Sequence, residues 1–309
     1  MDTELKTTQE LAASITRAAS LQTAFTIQFL ADRELMHDAY RAYAYFRWLD
    51  DWIDEETRQK NERMAFVDRQ NALIRTLMQG LQPQILYQEE QLLVDLIDND
   101  RGLPHRSGLR SYIHNMLEVM AFDAERRGRL ISHNELDAYA RTLAVAITEA
   151  LHYFIGHNCS SPRSEDRYLA VTGAHITHML RDTLDDIAAG YFNIPREFLS
   201  ANKISPFDVE SEPYRTWVRS RVQLARDYFK AGRSYMAKVE NIRCRLAGYA
   251  YIARFEAVLD SIERDNYHLR AQYKECKTLS AGAQMGWSTL KSAFSESSLQ
   301  AKSGALTIR

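Results

Sequence analysis

The sequence predicts an all-α protein, and three observations carry that prediction. Apolar residues recur at helical spacing from end to end, and no stretch alternates cleanly with a period of two. The 309 residues include only 12 glycines and 6 prolines, too few for a fold built on tight turns. A chain of this length has enough apolar surface for a substantial core.

The elements follow in order. Helices are expected over about 8–30, 34–57, 62–80, 87–99, 107–127, 133–157, 165–190, 211–238 and 241–274. Breaks are expected at Gly80–Pro83, 101-RGLP-104, 158-NCSSPRS-164, Pro195 and 205-SPFDVESEP-213, where turn formers cluster. Ser132 followed by Glu135 has the pattern of a capping box opening the sixth helix. No linker or short repeat interrupts 1–275, which reads as one domain. The segment 276–309 is rich in Ser, Ala, Gly and Lys and reads as a flexible tail.

Composition excludes several classes. With 45% apolar and 26% charged residues and a net charge of −2, the chain has no global signature of a nucleic-acid partner. Cys159, Cys244 and Cys276 are far apart and match no metal or disulfide spacing, so reduced thiols in a cytoplasmic protein are expected. The polar start 1-MDTELKTTQE-10 is unlike a secretory signal, and no apolar run approaches the roughly 20 residues of a transmembrane segment.

Two short motifs stand out, 50-DDWID-54 and 182-DTLDD-186. Asp50 and Asp54 are four apart, so on a helix both carboxylates leave the same face, with Asp51 beside them. Asp182 and Asp186 repeat the spacing, with Asp185 adjacent. Like charges four apart repel modestly, and Asp50 lies in the aromatic context 42-AYAYFRWLDDWI-53. Carboxylates in apolar surroundings need a cation. Mg²⁺ fits, because it prefers oxygen ligands and bridges carboxylates to substrate phosphates.

At these residues the sequence resembles the squalene/phytoene synthase family. The family's first motif, Tyr-x-x-x-Arg-x-x-Asp-Asp-x-x-Asp, is matched by Tyr43, Arg47, Asp50, Asp51 and Asp54. Its second, Arg-Asp-x-x-x-Asp with a later Pro, is matched by Arg181, Asp182, Asp186 and Pro195. Between them, 118-EVMAFD-123 resembles the family's Gly-Met-x-x-Asp segment, Tyr139 matches a family tyrosine, and 259-LDSIERDNYHL-269 resembles its closing helix. The resemblance covers about 20–275. It implies a single-domain isoprenoid synthase bundle with a central cavity. Asp50, Asp51, Asp54, Asp182 and Asp186 would then hold Mg²⁺, and Arg47 and Arg181 would hold the diphosphate of a prenyl diphosphate. It also implies substrate contacts from Tyr43, Phe46, Tyr139, Val171, Phe255 and Asn266.

The chain also departs from the family pattern. His175 and His178 replace the family's Gln and Asn, and their spacing places them on one helical stripe with Asp182 and Asp186. A histidine there is a candidate base, with Tyr43 and Arg181 completing the catalytic set. Phe255 and Gln272 replace a Tyr and a diphosphate-binding Arg, and Arg270 is turned by about 200° from that position on an ideal helix. The family's Arg-Gly-Arg-x-Tyr-x-Pro segment survives only as Ala189, Gly190, Tyr191, Asn193 and Pro195. Thr148 and Val171 add volume where the family has glycine, which narrows a tunnel for long prenyl chains. This combination resembles the divergent family members that transfer a short prenyl group to a small aromatic acceptor such as a carbazole. Head-to-head condensation to squalene, dehydrosqualene or phytoene is the alternative. Terpene cyclisation, prenyl phosphatase activity and a non-catalytic scaffold rank below it. A homodimer is compatible with either main reading.

Overall fold

The computed structural model describes residues 7–100, 108–156 and 159–273, and among these it is helical with no strand. A single β-bridge joins Leu130 and Phe192. The chain packs as two compact units, one comprising Met1–Arg127 with Glu149–His157 and the other Gly128–Thr148 with Asn158–Arg309. The expected tail over 276–309, Cys276 and the break at 101-RGLP-104 lie outside the described residues.

The first unit contains α1 (Thr8–Ala19), α2 (Leu21–Leu30), a 3₁₀ turn (Arg33–Leu35), α3 (Met36–Asp54), α4 (Lys60–Met78), α5 (Glu90–Asp100) and α6 (Gly108–Arg126). The expected helix over 8–30 is split at Ser20. Its backbone is extended there, and its side chain accepts from the Thr23 N–H, so one residue ends α1 and caps α2. α3 is the spine. Leu49 and Ile53 are fully enclosed, and Phe46 packs edge-on between Tyr45 and Tyr112. The Tyr45 hydroxyl donates to Gln70 Oε1 (2.9 Å), and the Gln70 amide donates to Glu90 Oε1 (3.0 Å). Arg69 and the Leu86 N–H also donate to Glu90, each at 2.8 Å. Every exit from this buried carboxylate is satisfied, as a charge in a core requires.

The second unit contains most of α7 (His133–Phe154), then α8 (Asp166–Arg181), α9 (Thr183–Ala189), α10 (Arg196–Asn202), α11 (Glu212–Met236) and α12 (Ile242–Arg264). The capping box at the start of α7 forms: the Ser132 N–H donates to Glu135 Oε2 (2.7 Å) and the Glu135 N–H to Ser132 Oγ (3.2 Å). α8 and α11 approach closely. A Cβ on Gly232 would lie 2.6 Å from that of Ala170, and one on Gly173 would lie 3.1 Å from the Ala225 carbonyl.

Three expectations need correction here. The helix over 165–190 breaks at Asp182, whose φ of −98° and ψ of 6° separate α8 from α9. A short helix, α10, forms after Pro195 where a plain break was expected; the fixed φ of proline suits a helix entry. α12 ends at Arg264, ten residues before the expected 274, because Asn266 and Tyr267 take left-handed backbone angles. Arg270 therefore sits off the helix and forks onto Asp265, so the helical-wheel argument about its direction does not apply.

Candidate active site

The first aspartate motif lies on the unbroken last turns of α3. Tyr43, Arg47, Asp50, Asp51 and Asp54 form one stripe, as the i, i+4 spacing dictates. Arg47 pairs with Asp50 Oδ2 through Nη1 (3.2 Å) and donates to Asp51 through Nη2. Asp51 and Asp54 are exposed, while Asp50 is recessed, with 35% of its side chain reaching solvent. Burial, together with the charges of Asp54, Asp123 and Asp51, pushes the Asp50 carboxyl up to about 7 against the opposing pull of Arg47. Arg47 is shared between Asp50 and Asp51, and its pull does not offset the burial of Asp50. Burial also raises the Tyr43 hydroxyl, opposed by Arg47 and by a hydrogen bond with Thr23 of α2.

The second motif has the opposite balance. α8 ends at Arg181, and the turn at Asp182 brings the two side chains together in a fork. Arg181 Nε and Nη2 donate to Asp182 Oδ1 and Oδ2, each at 2.6 Å. His178 Nε2 lies 2.8 Å from Asp182 Oδ2. Burial favours the protonated form of Asp182, but Arg181 and His178 outweigh it and hold the carboxyl well below its ordinary value. Asp186, one turn into α9, accepts from the Asn193 amide at 2.7 Å, and its own carbonyl accepts from the Tyr191 N–H.

The two candidate histidines part company. His175 is buried with its ring edge-on to Tyr139, the centroids 5.0 Å apart. His178 keeps 52% of its side chain exposed beside Asp182, and its ring lies 6.4 Å from that of Phe255. Phe255 is itself buried against Tyr251. Val171 and Thr148 are buried, and the Thr148 hydroxyl has no hydrogen-bond partner among the described residues. Asn266 is exposed in the left-handed turn after α12, and Gln272 is exposed beyond it.

Three contributors escaped the sequence reading. Asp123 adds its charge beside Asp50 and pairs with Arg126 (2.7 Å); its only sequence signal was its place in 118-EVMAFD-123. Asn193 holds Asp186 from seven residues away, an offset set by the αL turn at Gly190. Thr23 reaches Tyr43 from another helix, and no local pattern announces that contact.

The family model described as squalene/phytoene synthase matches residues 16–279. The chain belongs to the squalene/phytoene synthase family. A search of curated protein sequences returns no significant match. Among solved structures, the fold is similar to that of squalene synthase HpnC from Alicyclobacillus acidocaldarius, with a TM-score of 0.66, 19% identity, and coverage of 85% of this chain and 95% of that one. It is also similar to a ligand-bound dehydrosqualene synthase, with a TM-score of 0.69, 13% identity, and coverage of 96% and 97%. At these identities the likeness concerns the fold.

The donor sets suit Mg²⁺ in kind. Among the described residues no three His, Cys, Asp or Glu side chains form a closed metal-binding group. Mg²⁺ does not need one, because one or two carboxylates with water and phosphate oxygens complete its shell. The recessed Asp50, on one helix stripe with Asp51 and Asp54, is the position in the first motif that a cation would suit.

Proposed function

We propose that this family member is a Mg²⁺-dependent prenyltransferase that moves a short allylic group, such as dimethylallyl, from its diphosphate to a small aromatic acceptor such as a carbazole. The supporting observation is an imbalance of cations. Each aspartate motif has its own arginine, Arg47 and Arg181. The segment 182–195 contains no Lys or Arg, and the later diphosphate position is the exposed Gln272. One diphosphate is provided for, whereas joining two prenyl diphosphates requires groups for both.

In this reading Asp50, Asp54, Asp182 and Asp186 hold Mg²⁺, with Asp51 in support, and residues 1–275 work as one cytoplasmic catalytic domain. Mg²⁺ held there would supply positive charge to the diphosphate leaving group. Arg47 and Arg181 bind the diphosphate oxygens, a task suited to a planar fork that stays charged. The allylic C–O bond breaks, and Tyr43, Phe46 and Phe122 shield the cation through their ring faces. A ring carbon of the acceptor forms the new C–C bond, and its proton passes to His178 or to the released diphosphate. His178 is the better placed histidine, being exposed where His175 is buried. Tyr139, Val171, Phe255 and Asn266 are assigned to substrate contact.

Head-to-head condensation is the second reading, favoured by the squalene and dehydrosqualene synthases to which the fold is similar. The deciding experiment offers dimethylallyl, geranyl, farnesyl and geranylgeranyl diphosphates with Mg²⁺, each with and without indole, carbazole and phenolic acceptors, and reads products by mass spectrometry. Turnover of a short donor only with an aromatic acceptor is the expected result. A C30 or C40 hydrocarbon from a long donor alone would overturn it.

A further inference from the structure

On α11, Tyr214, Trp217 and Arg221 recur at i, i+3 and i+7 and form one stripe against α8 and α9. Arg221 is only 7% exposed. The other buried arginines are satisfied. Arg41 donates to Asp38, Arg126 to Asp123, Arg63 to the Arg58 and Ala124 carbonyls, and Arg167 to Ser161 and Tyr235. Arg221 makes no hydrogen bond or ion pair among the described residues, and its guanidinium lies 5.1 Å from the centre of the Trp217 ring. Burial pulls Arg221 below its ordinary value, opposed by Asp137 and Tyr228. Asp137 is itself exposed and pairs with His133 at 3.2 Å. A buried charge without a hydrogen-bonded partner is costly to the fold, so packing alone does not account for it.

Beside Arg221 lies a cavity of about 10 Å³, lined on its polar side by Thr183, Asn193, Tyr214 and Arg221. That volume suits one water and is too small for a phosphate. The Tyr214 hydroxyl is also buried and makes no hydrogen bond among the described residues. The Thr183 hydroxyl is committed to the Met179 carbonyl at 2.7 Å. Asn193 donates through its amide nitrogen to Asp186 Oδ2 at 2.7 Å. Burial raises the Tyr214 hydroxyl, and the charge of Asp186 adds to the rise, which places this tyrosine near the same carboxylate. A guanidinium and a phenol without protein partners thus meet at a water-sized space, against the asparagine that holds Asp186.

We propose that one water held between Arg221, Tyr214 and Asn193 couples the buried guanidinium to Asp186, which makes Arg221 and Tyr214 positioning residues of the second aspartate motif. Arg221 has donors only, so the water accepts from it. The Asn193 nitrogen is committed to Asp186, so the water donates to its amide oxygen or to the phenol oxygen. Polarisation passes along such a chain and strengthens the hydrogen bond at its end. A halide would also answer the guanidinium, but the charge of Asp186 beyond Asn193 and Tyr214 disfavours a second anion there. The consequence for metal binding rests on the reading of Asp186 as a Mg²⁺ ligand, since groups one step behind a ligand set its orientation.

Two measurements on the full chain test this. In a crystal structure of the metal-free protein, the water is expected within hydrogen-bond distance of Arg221, Tyr214 and Asn193. In the Arg221→Met variant, the Asp186 carboxylate should turn away from Asn193. Calorimetric titration of Mg²⁺ in the presence of inorganic diphosphate gives the second readout. Arg221→Met and Tyr214→Phe should each weaken binding about tenfold, as loss of a group behind a metal ligand does. The double variant should lose no more than the stronger single one, because both act through one water. Each variant should keep or raise the melting temperature of the metal-free protein, since an apolar group replaces a buried polar one that has no protein partner. An Asp186→Asn control separates this coupling from the metal reading. If Asp186→Asn leaves Mg²⁺ binding unchanged, the metal reading of Asp186 falls and the crystal structures decide the coupling. A cavity without the water, a bromide peak in its place after soaking, or an Arg221→Met protein with Asp186 unmoved would overturn the proposal. So would an Arg221→Met protein that melts lower while binding Mg²⁺ as the parent does, because Arg221 would then be a packing residue.

Discussion

The two aspartate motifs share a spacing and differ in almost everything that spacing does not control. On α3 the helix continues through Asp54, so Tyr43, Arg47 and three carboxylates stay in register on one stripe, and Asp123 of α6 adds a further negative charge. On α8 the helix stops at Arg181, and the bend at Asp182 folds the arginine and His178 onto that carboxylate. Burial pushes Asp50 up and would push Asp182 up as well, yet the partners reverse the outcome for Asp182. The lesson is that carboxylate spacing identifies a candidate metal-binding motif, while counter-charge decides how much it needs a cation. The first motif is short of positive charge and the second is already gripped.

Replacing the aspartates tests both halves at once and gives the largest expected effects. D50N and D182N should each lower the rate of prenyl diphosphate turnover at least about 100-fold, because in the proposed reading each removes a ligand of the Mg²⁺ that would neutralise the departing diphosphate. Rates measured at saturating Mg²⁺ with the best donor check this. A loss of under threefold in either variant would remove that motif from the site.

The histidines should separate stability from activity. His175→Ala opens space in a packed region and should cost about 2 kcal/mol in denaturant unfolding. His178→Ala should change stability by under about 1 kcal/mol, as expected at an exposed ion pair, while lowering turnover about tenfold or more. Reversed results would move the active histidine to His175.

In Mg²⁺-free protein the two aspartate variants should shift stability in opposite directions. D182N leaves the Arg181 fork unsatisfied and should cost about 1–3 kcal/mol. D50N relieves crowding of like charges. The gain should be about 0.5 kcal/mol once solvent screening of a partly exposed group is taken into account. Thermal melts at pH 7.5 without metal decide the sign.

The smallest effect is a pH dependence. The folded carboxyl of Asp50 is raised to about 7, above its unfolded value of about 3.9. Its contribution is therefore fully present below about pH 4 and is lost as pH rises through about 7. The parent chain without metal should lose stability relative to D50N between these limits. Asp182 is lowered, so its contribution is present above about pH 4 and falls away on further acidification. A parent-minus-D50N difference that is flat from pH 4 to 8 would show that Asp50 is better compensated than its surroundings indicate.

The sequence by itself determined the helical class, the two motifs and most helix starts, because these depend on residues close along the chain. Periodicity placed α3, α4, α6 and α11 near their observed positions, and Ser132 and Glu135 formed the cap their spacing promised. Only the tertiary structure decided what surrounds each carboxylate. Asp123 acts on Asp50 from another helix, Asn193 reaches Asp186 across a glycine turn, and Thr23 meets Tyr43 from α2. Burial made His175 a packed side chain and left His178 at Asp182, although the two occupy one stripe on paper. Electrostatic environment sums over every neighbour in space, and the neighbours of Asp50 and Asp182 come from contacts and bends that helical spacing does not encode.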